Sequence, residues 1–247
     1  MRALVIWHDI AASPGLVGDR LVARGFELER FVVVEDVTRP VFEGPFPDPL
    51  EYDLIVPMGA PWSVYDTATI GSWIGSELEL LREAHRAGVP VMGICFGGQA
   101  LAAALGGRVE KAPGIQLGWY PVRPTPGSGV GPGPWAEWHS DRFFAPPGSR
   151  LEAADELCQQ AFTIGRSLGV QFHPEMTPAH VEDWLALGGT EADRQLALAG
   201  TDPDRLMAET RANLAAATRN ASALVDWYLD EIAFPVREGA PAIAPGS

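Results

Sequence analysis

Short apolar runs rich in Val and Ile alternate with longer amphipathic stretches through the first half of the chain, the pattern of β-α-β units around a mostly parallel sheet. Ala3–Trp7 predicts a first strand, Glu29–Val34 a second, Asp53–Val56 a third and Pro90–Cys95 a fourth. Ser13-Pro14-Gly15 predicts an N-cap and a first-turn proline for a helix through Leu16, Leu21 and Val22, stopped by Gly25. A helix over Ser72–Ala87 is expected to close at Gly88, and a shorter one from Gln99 to Leu105 at Gly106-Gly107. Four prolines between Thr38 and Leu50 exclude a helix interior or a central strand there, which leaves a surface connection.

The second half changes character. Shorter strand-like pieces at Arg108–Lys111, Trp119–Arg123, Leu151–Ala153 and Gly169–Phe172 predict mixed or antiparallel pairing. Pro124–Pro134 holds four prolines and four glycines and reads as a mobile surface loop, placed by chain order near the mouth of a site. From Pro178 onward the pattern is helical, with Asp204–Ile232 the longest segment. The expected fold class is therefore α/β: a single-domain three-layer sandwich around a mostly parallel, mixed sheet, with extra C-terminal helices. Residues 1–237 form the expected domain, and the Ala/Pro/Gly-rich 238–247 a disordered tail.

Composition narrows the function. At 247 residues with 47% hydrophobic, the chain has material for a sizeable core. A net charge of −14 argues against general attraction to nucleic acid or to an anionic membrane, both of which need clustered Lys and Arg. No run approaches the ~20 apolar residues of a membrane span, and no basic leader with a long apolar region precedes the first strand. Two cysteines in unlike settings make no disulfide framework, so a reducing cytoplasm is the expected location.

Gly93-Ile94-Cys95-Phe96-Gly97 is a Gly-x-nucleophile-x-Gly elbow between an apolar strand and a helical run. Glycines on both sides allow a sharp strand-to-helix turn, and a cysteine there meets a helix N-terminus, where free N–H groups favour thiolate. Alone, the motif also fits a buried cysteine at a glycine-rich strand end, the lesser of the two readings. Gly169–Glu175 ends a strand in His173-Pro174-Glu175. A thiolate nucleophile needs a base, and that base needs a carboxylate to hold its tautomer, roles that His173 and Glu175 fill. An isolated His-Pro-Glu is more simply a surface turn; the elbow upstream changes its meaning.

Gly93–Gln99 and Gln171–Glu175 together resemble the class I glutamine amidotransferase signatures, a Gly-Ile-Cys-x-Gly-x-Gln elbow and a Gln-Phe-His-Pro-Glu strand. Met58–Asp66 and Trp138–Phe143 are similar to segments of the stand-alone, GMP-synthase-like members. The resemblance implies a glutaminase reaction: thiolate attack on a side-chain amide, release of ammonia, and hydrolysis of a γ-glutamyl thioester, with Cys95, His173 and Glu175 as the triad. It further implies an oxyanion hole of backbone N–H groups at Phe96 and in the Gly59-Ala60 turn, Ala60 standing where the family usually has a second glycine. Gln99 and the His139-Ser140-Asp141 segment match positions that line the family's glutamine pocket. Gln99 is otherwise a helix-surface amide, and His139 a core histidine among aromatics. His8, just past the first strand, is placed at the same sheet edge, while His85 and His180 read as solvent-facing.

No metal is expected, because Cys-x-x-Cys and His-x-x-x-His spacings are absent, and no nucleotide cofactor, because Gly93–Gly98 lacks a phosphate-binding lysine. The expected partners are glutamine or a γ-glutamyl compound and, where ammonia is passed on, a synthetase. Two other readings stay open: a cysteine hydrolase of other γ-glutamyl amides or peptides, and a non-catalytic regulatory or binding module of the same fold. A DJ-1-like assignment shares the elbow but leaves Gln171–Glu175 without an explanation.

Overall fold

The computed structural model describes residues 1–235. The expected tail at 238–247 and the last two residues of the expected domain lie outside the described residues. The strands in chain order are β1 (Arg2–Trp7), β2 (Glu27–Val32), β3 (Leu54–Pro57), β4 (Met92–Ile94), β5 (Arg108–Tyr120), β6 (Arg123–Pro124), β7 (Trp135–Phe144), β8 (Arg150–Ala154), β9 (Gln159–Ile164) and β10 (Ser167–Val170). The helices are α1 (Gly15–Ala23), α2 (Thr67–Ile70), α3 (Ile74–Ala87), α4 (Phe96–Ala104), α5 (Pro178–Ala199) and α6 (Pro203–Trp227), the last continuing as a π-helical turn at Tyr228–Ala233.

One side of the main sheet is the parallel set β2-β1-β3, joined to β4 through the parallel bridge Ile55↔Val91. β10 then pairs parallel with β4, and β9, β8 and β6 extend the sheet antiparallel. Strands buried on both faces read as continuous apolar runs, and β3 is buried at all four positions. Alternate residues of β1 feed two cores. Ala3 and Val5 face α1 and the end of α6, while Leu4 and Ile6 face α3 and α4, which makes the three layers. β5 and β7 form a separate antiparallel pair, over which α5 and α6 pack through Leu117, Val181, Leu196 and Leu206.

Three local expectations are corrected. Ser13 is not the N-cap of α1: Pro14 takes that position, and Leu16 N–H donates to the Glu175 carbonyl at 3.2 Å, so the helix start is tied to the His-Pro-Glu segment. α4 begins at Phe96, three residues before Gln99, because the chain turns at Cys95 itself. The Pro124–Pro134 segment is neither loose nor at the mouth of a site. Val130 is buried in the core shared by α1 and α6, Val122 N–H donates to the Pro132 carbonyl at 3.0 Å, and Trp135 Nε1 donates to the Gly131 carbonyl at 2.9 Å.

Candidate active site

The elbow starts as ordinary sheet. Cys95 N–H still pairs with the Val170 carbonyl of β10 at 2.8 Å. The chain then reverses at Cys95, with φ 50° and ψ −107°, the only non-glycine residue of positive φ among the described residues. Such a conformation costs about 1–3 kcal/mol and persists only where the surroundings over-determine it. Here they do. Gly97 N–H bonds the Met58 carbonyl at 3.0 Å, and its Cα lies so close to the Pro57 carbonyl that a Cβ would overlap it. The start of α4 is thereby clamped to the end of β3, with Cys95 held at the helix N-terminus.

The chain after β10 is fixed as firmly. His173 N–H donates to the Ala136 carbonyl of β7 at 2.8 Å, which sets the height of the side chain at the sheet's carboxyl edge. Its Nδ1 lies 2.7 Å from Glu175 Oε1, and both side chains are buried. Trp184 of α5 packs edge-on against the imidazole, 4.8 Å between centroids. His173 Nε2 is buried without a hydrogen-bond partner. Burial opposes charge on this ring, yet the Glu175 carboxylate and the Cys95 sulfur outweigh it and hold His173 well above its ordinary 6.5. Gln171 Nε2 approaches Cys95 Sγ at 3.7 Å.

Gly59 separates β3 from this pair. A Cβ there would sit 3.1 Å from His173 Cε1 and 3.9 Å from Cys95 Cβ, so the backbone of the loop lies against the imidazole and the base of the Cys95 side chain. The Ala60 and Phe96 amides have no hydrogen-bond acceptor among the described residues. Cys95, His173, Ala60 and Phe96 border one cavity of about 410 Å³, within the ~300–1,000 Å³ range of small-molecule sites. A sulfur, a proton carrier oriented by a carboxylate, and unused N–H donors around one space are the parts that acyl transfer requires.

A family model described as "Glutamine amidotransferase class-I" matches residues 17–185, which contain the elbow, the His-Pro-Glu segment and most of the cavity wall. The chain belongs to the class I glutamine amidotransferase family. Among curated proteins it is similar to a GMP synthase [glutamine-hydrolyzing] of Alkalilimnicola ehrlichii, 42% identical over 110 residues, covering 37% of this chain and 21% of that protein. It is also 31% identical over 140 residues to the corresponding protein of Aromatoleum aromaticum, covering 50% of this chain and 25% of that one. The match thus spans a quarter or less of these relatives' own length. A solved glutamine amido transferase from Methylobacillus flagellatus is 26% identical with a TM-score of 0.76, covering 92% of this chain and 94% of that one. A glutamine amidotransferase from Thermotoga maritima shares the fold at a TM-score of 0.79 and 22% identity, covering 93% of this chain and 98% of that one.

The segments expected from the sequence to line a pocket come together here. Gln99, on the buried face of α4, donates Nε2 to Gln171 Oε1 at 3.3 Å and lies 3.4 Å from the Asp141 carbonyl. His139 borders the cavity with Nδ1 engaged by the Asp141 carbonyl at 2.9 Å, while Nε2 lies 3.1 Å from a Glu137 oxygen without forming a hydrogen bond to it. Glu137 is buried, and desolvation pushes its carboxyl upward. Ser140 accepts from Lys111 Nζ at 2.8 Å. The Asp141 carboxylate accepts from Ser63 and, at 3.0 Å, from Tyr65, with Lys111 3.5 Å away. Among the described residues no group of three or more His, Cys, Asp or Glu side chains gathers as metal donors.

Sequence reading missed the outer wall. Trp184, Leu187, Glu191 and Arg194 of α5 border the cavity, and the helix bends over it at Gly189, where φ is 48° and ψ −130°. Amphipathic spacing shows only that such a helix has one covered face, with nothing to say that the face covers a site. His180 is corrected from solvent-facing to buried. Its Nδ1 closes a capping box with Thr177 and its Nε2 reaches the Ser13 carbonyl at 3.0 Å, anchoring α5 to the loop before α1.

Proposed function

We propose that this protein hydrolyses the side-chain amide of glutamine, or of a compound carrying a γ-glutamyl amide, through a Cys95-His173-Glu175 triad. The observation that carries the reading is Cys95 at a strained turn beside an imidazole whose Nδ1 is held 2.7 Å from Glu175 and whose Nε2 has no other partner. Cys95 gives its thiol proton to His173 Nε2 and attacks the amide carbon as the thiolate, and the oxygen gains negative charge against the Ala60 and Phe96 N–H groups. His173 Nε2–H protonates the departing nitrogen, the C–N bond breaks, and ammonia leaves a γ-glutamyl thioester. His173 then takes a proton from water, whose oxygen attacks the thioester carbon, and as the C–S bond breaks His173 returns that proton to the sulfur, giving glutamate and the free thiol. Glu175 keeps the imidazole in one orientation throughout and does not itself take the proton.

Gln99, His139, Ser140 and Asp141 shape the pocket for the amino-acid end of the substrate. Longer relatives named GMP synthase support an ammonia-consuming synthetase as partner, and two free cysteines support a reducing compartment, the cytoplasm. Among the described residues no helix is long and apolar enough to cross a membrane. The test is glutamate and ammonia release by the purified chain from glutamine, γ-glutamyl amines and short γ-glutamyl peptides. Release that Cys95→Ala abolishes supports the triad, and turnover undiminished in that variant removes it. The 410 Å³ cavity gives the broader γ-glutamyl reading its place in the panel, and a clear preference for a larger leaving group would favour it over glutamine.

A further inference from the structure

β1 ends at Trp7 and delivers the next residue, His8, into the interior, where its side chain is 0% exposed, as is that of Glu77 opposite. Glu77 stands on the face of α3 that also carries Ile74, Leu80, Leu81 and Ala84. A carboxylate in such a row costs several kcal/mol unless its partner satisfies it, so its presence calls for a reason beyond packing. His8 Nε2 lies 2.9 and 3.1 Å from the two Glu77 oxygens, and Nδ1 lies 3.2 Å from the Gly59 carbonyl oxygen. A carbonyl oxygen only accepts, so Nδ1 carries a hydrogen whichever of His8 and Glu77 holds the other proton. Trp73 stacks on the ring with centroids 5.8 Å apart, and Phe96 packs edge-on at 4.7 Å.

We infer that His8, held by Glu77, is a positioning residue that pins the Gly59 carbonyl and thereby turns the Ala60 N–H toward the Cys95 thiol. The inference rests on the oxyanion role proposed above for that amide. The Gly59–Ala60 peptide is trans, so its C=O and N–H point in opposite directions, and holding the oxygen toward His8 presents the hydrogen on the far side. Residue 59 lacks a Cβ, which would crowd the His173 ring at 3.1 Å. The same absence frees its backbone to rotate. Sheet and elbow restrain the chain only as far as Met58, whose carbonyl accepts from Gly97 and whose N–H donates to Ile6. For residues 59–62 the bond from His8 is the one hydrogen bond found among the described residues. Phe96, owner of the second N–H, packs on the same ring, although its backbone is held by the elbow's own bonds.

Three variants of the full chain test this. In His8→Asn the side-chain amide falls near the Nδ1 position and keeps the bond to Gly59. In His8→Gln it falls near Nε2, toward Glu77, and His8→Leu has no donor at all. Their crystal structures should show the Gly59–Ala60 peptide in place in the asparagine variant and turned in the other two. With γ-glutamyl p-nitroanilide, kcat in the glutamine and leucine variants should fall about 10²–10³-fold, the cost of one oxyanion donor, with KM within about two-fold. Alkylation of Cys95 by iodoacetamide should stay within about two-fold of wild type, because displacement at a saturated carbon develops no oxyanion. The asparagine variant should recover most of the turnover. A peptide unmoved in the glutamine or leucine variant overturns the inference, as does an equal loss of turnover and alkylation, which is the mark of a merely structural role. If wild type cleaves no γ-glutamyl substrate while the peptide still turns in the variants, the proposed hydrolysis fails and the pin stands.

Discussion

Glu175→Gln removes the charge behind His173 and keeps its volume, so it isolates what the carboxylate contributes. The bond from His173 Nδ1 is 2.7 Å long, between groups 3% and 1% exposed, where little water competes with it. Hydrogen bonds to a charged group are worth about 1.5–3 kcal/mol, which at about 1.4 kcal/mol per decade is a ten- to hundred-fold loss of turnover. His173→Ala removes the proposed proton carrier itself and should cost more. The carboxylate also raises the affinity of His173 for its proton, so in the variant that affinity should fall toward the ordinary value of 6.5. Because the folded state holds the proton more tightly than the unfolded chain, the pair's stabilisation is fully present below about 6.5 and is lost as pH rises through the folded value. The difference between wild type and Glu175→Gln in urea melts should therefore be largest near pH 6 and shrink in alkali. The assays are p-nitroaniline release across pH and an NMR titration of the His173 Cε1 proton. Wild-type turnover at every pH, turnover as low as that of His173→Ala, or an unmoved titration would each refute the reasoning.

Cys95→Ala should abolish hydrolysis and leave the thermal melt intact, and a γ-glutamyl alkylating analogue should label Cys95 and spare Cys158, whose thiol is pushed up by burial; mapping that finds Cys158 labelled first contradicts this. Gly97→Ala forces a methyl onto the Pro57 carbonyl and strains the bond to Met58, costing about 1–3 kcal/mol for overpacking and about 0.5–1.5 for the bond. An unchanged urea midpoint would show that β3 and α4 can move apart freely. Shortening Pro124–Pro134 should lower the melting temperature and leave kcat/KM alone, because Val130 is buried in the core and the segment does not border the cavity. A changed substrate preference at unchanged stability would reverse that assignment.

The parallel half of the fold was legible because β1, β3 and β4 are buried apolar runs and its helices end in recognisable stops. Gly88 closes α3 in the left-handed conformation, with φ 75°, as its place after Ala87 suggested. The antiparallel half was harder. β5 read as two pieces because Pro113 and Gly114 interrupt it, and its pairing with β7 shifts register between Lys111 and Gln116. α2 was missed altogether, a single turn capped by Asp66 and too short to show a helical period.

β7 shows why strands near a site escape this kind of reading. From Trp138 to Phe144 its burial alternates as a strand's should, but the inward residues are His139, Asp141 and Phe143, so polar groups occupy places where alternation predicts apolar ones. The inversion has a physical cause: His139 and Asp141 border the cavity and must be polar, and buried polar groups are tolerated only with partners. The same holds for His8 and Glu77, whose interior positions make no sense to a hydrophobic pattern and become intelligible once the Gly59 carbonyl is seen against the ring. A motif such as the elbow is readable because its residues are consecutive, set by one turn of backbone. Positioning groups come from β1, α3 and α5, whose sequence distance from Cys95 carries no information, and the only trace they leave is a charged or polar residue where the pattern calls for an apolar one. Interruptions of that kind in an otherwise regular core stripe, Glu77 between Ile74 and Leu80 above all, are therefore the places to look for residues that act on a site without touching its substrate.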